Sequence, residues 1–92
     1  MSSSTLEDFL KEQVQIEEII VACASQREIR LMPSAAIWNA GSMHLPSDDD
    51  RRVVEIFSRN GRVTTVTYWK WELDATSTNH FEHRILRALA GL

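Results

Sequence analysis

Apolar positions fall into three blocks along the chain, each with its own period. In the first block Phe9, Ile16, Ile20 and Cys23 recur at helical spacing, with Gln13 interrupting the stripe. Ser4-x-x-Glu7 just ahead of it reads as a capping box, so the pattern predicts a helix over 5 to about 24. Ile16, Ile19, Ile20 and Val21 are β-branched and would also suit a strand. A polar face of Glu7, Asp8, Glu12, Glu17 and Glu18, unbroken by Gly or Pro, decides for the helix.

The middle block alternates instead. Two β-rich runs, 52–58 and 63–73, flank Asn60-Gly61. Asn-Gly is the preferred pair for a two-residue type I′ turn, which needs φ > 0 at both positions. Such a turn sets Arg59 opposite Arg62, Phe57 opposite Thr64, Glu55 opposite Val66 and Val53 opposite Tyr68. The other face then carries Ser58, Ile56, Val54 and Arg52 with Val63, Thr65, Thr67 and Trp69, followed by Trp71 and Leu73. This second face is the more apolar and is expected to pack on the helices.

Between these blocks the pattern is weaker. Glu28-Ile29-Arg30-Leu31 alternates as a short strand does, and Pro33 ends it. Ala35 to Trp38 is another short candidate, Asn39 to Ser42 a turn, and Leu45 to Asp50 a surface loop. The last block has Phe81, Ile85, Ala88, Leu89 and Leu92 at three- and four-residue steps. With Asn79-x-x-Glu82 as a capping box and Arg84 and Arg87 towards the C-terminal end, it reads as a helix over 79–90. The order helix, short strands, hairpin, helix makes an α+β domain: a small antiparallel sheet centred on a 52–73 hairpin, with both helices on one face.

Composition narrows the function classes. Ninety-two residues make one domain, 1–92, with one thin core. Hydrophobic residues are 43% and charged residues 25%, as in ordinary globular domains. There is no apolar run long enough for a membrane span, and the first residues lack the basic and apolar regions of a signal peptide. One cysteine, Cys23, forms no intrachain disulfide and no thiolate zinc site. The net charge of −3 is uneven. The first 28 residues hold six acids against two bases, whereas 48–92 balance seven against seven. A sequence-independent DNA binder is normally basic, and a DNA mimic more densely acidic.

Candidate chemistry is sparse. His80 and His83 stand three apart at a helix start, where the dipole disfavours a cation and the H-E-x-x-H spacing is missed. No metal or cofactor site is assigned. Cys23 lies in the apolar stripe and reads as core, and no nucleophile, base and oxyanion set comes together, so the chain reads as a non-enzyme. Trp69 and Trp71 share one strand face and read as core. The alternative is a stacking or anchor surface, and Trp38 divides the same way. Arg51, Arg52, Arg59, Arg62 and Lys70 all sit on the hairpin. Two arginines flanking one turn suit an anion, either an acidic protein surface or a phosphate. The alternative is a solvated tip. Asp48-Asp49-Asp50 reads as turn and solubility chemistry able to pair with Arg51 and Arg52.

The small acidic chain, the Asn60-Gly61 hairpin and the flanking helices together resemble the phage-encoded anti-CRISPR proteins that inhibit type I-F systems. The stretches Leu45-Pro46-Ser47-Asp48-Asp49, Val53 to Phe57 and Asn60 to Val63 are also similar to short phage domains with an L-P-x-D-D turn before a hairpin. The first resemblance implies a non-enzymatic inhibitor in the host bacterial cytoplasm. It would bind Cas subunits of the RNA-guided surveillance complex and block target DNA binding, with no membrane partner and no small-molecule substrate. Arg59, Arg62, Arg52, Lys70 and Arg51 are then expected at the contact, with guide-RNA phosphates as a further partner. An acidic face at Glu12, Glu17 and Glu18 would meet basic Cas surface. The alternative is a small phage nucleic-acid-binding or regulatory protein using the Arg- and Trp-bearing hairpin.

Overall fold

A computed structural model describes residues 2–33, 51–74 and 76–92. Helix α1 spans Ser2–Gln26, strands β1 and β2 span Arg51–Phe57 and Val63–Trp69, a 3-10 turn spans Lys70–Leu73, and helix α2 spans Thr78–Leu89. β1 and β2 form an antiparallel hairpin with both helices on one face, the α+β arrangement that the pattern predicts. The sequence expectations for 35–50, including Trp38, the Leu45-Pro46 turn and the Asp48-Asp49-Asp50 run, lie outside the described residues.

The core is one cluster from three elements. α1 supplies Ile16, Ile20, Cys23 and Ala24; the sheet supplies Val54, Ile56, Val66 and Tyr68; α2 supplies Phe81, Ile85 and Leu89. A two-stranded hairpin alone is marginal in water, so its stability comes from this apolar cover. The Tyr68 and Phe81 rings meet at 5.0 Å between centroids, tilted by 52°, which joins β2 to the start of α2.

Both predicted capping boxes fail. The backbone is already helical from Ser2, so Ser4 lies inside α1. In α2 the N-cap position is Ser77, with Asn79 inside the helix and no side-chain cap bond. The Thr78 hydroxyl instead donates to the Asp74 carbonyl at 2.8 Å. The strand expected at 28–31 reduces to a single bridge, Leu31 to Ser58. Residues 70–73, expected to prolong β2, coil into the 3-10 turn.

The largest departure is the hairpin register. The loop has three residues, Arg59-Asn60-Gly61, and Ser58 faces Arg62 through a Ser58 N–H to Arg62 carbonyl bond of 2.9 Å. Gly61 N–H donates back to the Ser58 carbonyl at 3.1 Å, and Gly61 sits at φ +91°. This is a tight turn over Arg59-Asn60 followed by glycine in a left-handed conformation, the commonest three-residue hairpin loop. Arg62 N–H donates to both Ser58 Oγ and Asn60 Oδ1 at 3.2 Å, and Ser58 Oγ also donates to Asn60 Oδ1. The side chains of Ser58 and Asn60 thus lock the longer loop.

One residue of register turns β2 over. Val54 lies opposite Val66, Arg52 opposite Tyr68 and Ile56 opposite Thr64, and this is the face that packs on the helices. The β1 half of the expected core face is correct. The β2 half is inverted: Val63, Thr65, Thr67 and Trp69 point outward.

Candidate functional site

The inverted strand decides where the binding candidates lie. Trp69 is 42% exposed and Trp71 55%, so neither is a core residue, and the alternative surface role is the one their placement allows. On the outer sheet face Trp69 lies opposite Arg51, Val53 opposite Thr67, and Phe57 opposite Val63. Val53 and Val63 are exposed at 39% and 46%. The outer face thus carries exposed Val53, Val63 and Trp69 among Arg51, Glu55, Thr65 and Thr67, with the tryptophan at one end.

The tip of the hairpin is at the other end. Arg59 and Arg62 are both exposed there, but not opposite one another as the two-residue turn required: Arg59 is in the loop and Arg62 faces Ser58. Arg59 N–H donates to the Arg30 carbonyl at 3.0 Å, which brings a third arginine to the tip. Among the described residues none of the three is in an ion pair, and Glu28 lines a shallow cleft of about 280 Å³ together with Arg30 and Arg59. The alternation of Glu28 to Leu31 was the available signal for Arg30, since it hinted that this segment runs beside the sheet.

The other predicted contact residues separate. Arg51 is exposed at the open end of the hairpin beside Trp69, and Lys70 is exposed on the 3-10 turn. With about 3.3 Å per strand residue, both lie roughly 20 Å from the tip. Glu18 is exposed and Glu17 half-buried on α1, beside the exposed Val14 and Val21. Arg52 and Glu12 are not on the surface at all. They are 4% and 5% exposed and face each other under the sheet, with Arg52 Nε 3.5 Å from Glu12 Oε2. The same Glu12 oxygen accepts from the Tyr68 hydroxyl at 2.5 Å. Glu12 occupies the position one turn before Ile16 and Ile20, so the stripe itself places it inward.

Burial first, then the hydrogen bond and the negative charge of Glu12, hold the Tyr68 hydroxyl far above the ordinary tyrosine range, with Arg52 opposing. Tyr68 is therefore a permanent donor to Glu12 under physiological conditions. Burial and then Glu82 push the Cys23 thiol upward, which keeps it protonated and unreactive in the core.

A second polar cluster seals the outer edge of β2. Arg84 on α2 pairs with Glu72, and its Nη1 donates to the Thr67 carbonyl at 2.8 Å. The other Glu72 oxygen accepts from Trp69 N–H at 2.8 Å. The Thr67 carbonyl and the Trp69 N–H, which an edge strand would offer to another strand, are thereby occupied. His80 and His83 are exposed, and among the described residues no group of three metal-ligating side chains assembles. Among the described residues no helix is long and apolar enough to cross a membrane.

Comparison with protein-family models, with curated proteins and with solved structures returned no match for this chain.

Proposed function

We propose that this chain is a non-enzymatic binding protein that docks on a macromolecular partner through the outer face and tip of its hairpin. The observation that carries this reading is the outer face with exposed Trp69, Val53 and Val63, which leads to Arg30, Arg59 and Arg62, three arginines in no ion pair among the described residues. Binding hot spots are enriched in tryptophan and arginine, and an apolar centre beside charged groups is how stable interfaces are built. The protonated, buried Cys23 supports a stoichiometric binder over a thiol enzyme.

The resemblance supplies the partner: Cas subunits of a type I-F surveillance complex in the host bacterial cytoplasm, with target DNA binding blocked. Arg30, Arg59 and Arg62 would meet acidic protein surface or guide-RNA phosphates at the tip, and Trp69 would anchor the outer face. The test is co-purification with the assembled complex, followed by a target-DNA mobility shift. The wild-type chain is expected to co-purify and reduce DNA binding. Arg59→Glu with Arg62→Glu is expected to weaken the complex by at least about tenfold, as for charges truncated at an interface. A chain that neither co-purifies nor reduces DNA binding overturns the reading.

One observation favours a second reading. Trp69 and Arg51 are cross-strand neighbours on an open sheet face, the arrangement on which single-stranded bases stack beside a phosphate-binding cation. A nucleic-acid-binding role predicts salt-dependent affinity for free single strands that Trp69→Ala abolishes.

A further inference from the structure

A cleft of about 460 Å³ separates the first half of α1 from the 3-10 turn, within the range of small-ligand sites. Asp8, Lys11 and Glu12 line one wall, and Lys70, Trp71 and Asp74 the other. At one end the Gln15 amide donates to the Leu73 carbonyl at 2.9 Å, so the two walls are tied together without being in contact throughout. The cleft is built into the fold.

Its lining is unusual in three respects. Trp71 stays 55% exposed, although a domain of this size has few aromatic rings with which to fill its core. Lys11 and Lys70 share the cleft with three carboxylates, yet among the described residues neither is in an ion pair. Asp8 and Asp74 are exposed, and among the described residues neither is in an ion pair. A flat apolar face, two available cations and several available acceptors therefore converge on one space.

A simple anion would suit the lysines and be repelled by Asp8 and Asp74. A simple cation would suit the carboxylates and be repelled by the lysines. The ligand that meets all three requirements has a flat ring, N–H donors on the ring edge and an anionic group at a distance. We propose that this cleft binds a nucleotide, with the base stacked on Trp71, its donor edge on Asp74 or Asp8, and its phosphate on Lys11 and Lys70. Guanine is the preferred base, because its ring N–H and amino group donate side by side to a single carboxylate. Uracil offers one N–H flanked by acceptors, which a carboxylate repels. The base comes either from a free nucleotide or from a single strand. The proposal is independent of the hairpin surface, which lies on other residues.

The test follows the indole N–H signals of the full chain by NMR, assigned with Trp71→Phe, during titration with GMP, UMP, guanosine and a short guanine-containing single strand. GMP is expected to shift the Trp71 signal saturably at millimolar concentration, and UMP to bind about fivefold or more weakly. Trp71→Ala should weaken GMP by about fivefold to tenfold, the scale of one lost base–aromatic stack. Lys11→Ala with Lys70→Ala should weaken GMP and leave guanosine unchanged. Asp8→Asn with Asp74→Asn should abolish the preference for guanine over uracil. All these positions are exposed, so the variants keep the core, and unchanged amide spectra confirm it. A single strand that binds more tightly than GMP assigns the site to a strand, and equal affinity assigns it to the free nucleotide. Either no saturable shift with GMP or equal binding of GMP and UMP overturns the proposal.

Discussion

The two faces of the hairpin are built from similar residues, yet one is buried against the helices and the other is exposed. The inner face carries Arg52, Val54, Ile56, Thr64, Val66 and Tyr68; the outer face carries Arg51, Val53, Glu55, Thr65, Thr67 and Trp69. Over these six positions each has an arginine, at least one valine, at least one threonine and one large aromatic ring, and beyond them the outer face adds Phe57 and Val63. The inner face buries a charged pair, while the outer face leaves a tryptophan in solvent. Apolar content does not decide which face becomes core. The loop length decides, through Gly61 and the Ser58–Arg62 closure, and the partners waiting on α1 ratify the choice. Tyr68 turns inward because Glu12 can accept its hydroxyl proton there, which Trp69 with its single N–H on a larger ring would not match in the same place.

The sharpest way to break this comparison uses one residue type in both settings. Glu12→Ala leaves Arg52 buried opposite an empty position and takes the acceptor from Tyr68. The expected loss is about 3–5 kcal/mol in urea denaturation, the cost of breaking a buried pair. Glu55→Ala, on the outer face, should change stability by no more than about 0.5 kcal/mol. Similar losses for the two would mean that the inner carboxylate is not special. Replacing Glu12 and Arg52 together by methionines should recover most of the loss, since an apolar pair of similar volume avoids desolvating two charges.

Alkaline pH separates the faces by chemistry. Tyr68 is the only tyrosine, so the phenolate absorbance reports on it alone. Its folded pKa is raised above the unfolded value of about 10. Below the unfolded value both states keep the proton and stability does not change with pH through this group. Above it the unfolded chain ionises while the folded chain does not, so stability falls by about 1.4 kcal/mol per pH unit. The phenolate signal should therefore appear with unfolding, not before it. In Tyr68→Phe this dependence should vanish. A phenolate that forms in the folded protein near pH 10 would contradict the buried hydrogen bond to Glu12.

The turn is tested by Gly61→Ala. No atom would lie within 4 Å of the added methyl group, so crowding is absent and only the left-handed backbone opposes it. The expected cost is about 1–2 kcal/mol. A neutral result would mean that the loop relaxes to another turn, and the register of β2 would then be open to change.

These residues also show how much of the molecule is legible in its sequence. The helices are legible because a 3.6-residue period over several turns is redundant: Ile16, Ile20 and Cys23 on α1 and Phe81, Ile85 and Leu89 on α2 each repeat the same message. The hairpin's existence is legible from Asn60-Gly61. Its register is not, because Asn-Gly also fits a loop one residue longer, and nothing local to Arg59 distinguishes the two. The apolar weight of Trp69, Trp71 and Leu73 then favours the wrong face, since hydrophobicity marks interior and binding surface alike. Glu12 is a different case. Its helical position already places it with Ile16 and Ile20, but a charged residue is counted with the solvated face unless its partner is visible, and Arg52 and Tyr68 lie 40 and 56 residues away. At the arginine tip, Arg30 joins through a backbone bond to Arg59, and the alternation of Glu28 to Leu31 is its one sequence signal.

A small effect on stability is also expected at the largest exposed side chain of the outer face, Trp69. Trp69→Thr places on β2 the same residue type as its outward neighbours Thr65 and Thr67, so strand propensity is kept. Because Trp69 is 42% exposed and its N–H to Glu72 bond uses the backbone, the loss should stay below about 1 kcal/mol. The inner counterpart, Tyr68→Thr, should cost several times more, since it empties a fully buried site between Glu12 and Phe81. Partner binding should respond in the reverse order: lost in Trp69→Thr, which remains folded, and retained by whatever fraction of Tyr68→Thr still folds. If Trp69→Thr keeps full binding, the outer face is not the docking surface. The exposed valines would then be ordinary surface residues and the tip arginines would have to act alone. If it loses binding with its denaturation midpoint unmoved, the two faces divide stability from recognition, and the three-residue loop is what assigns each side its task.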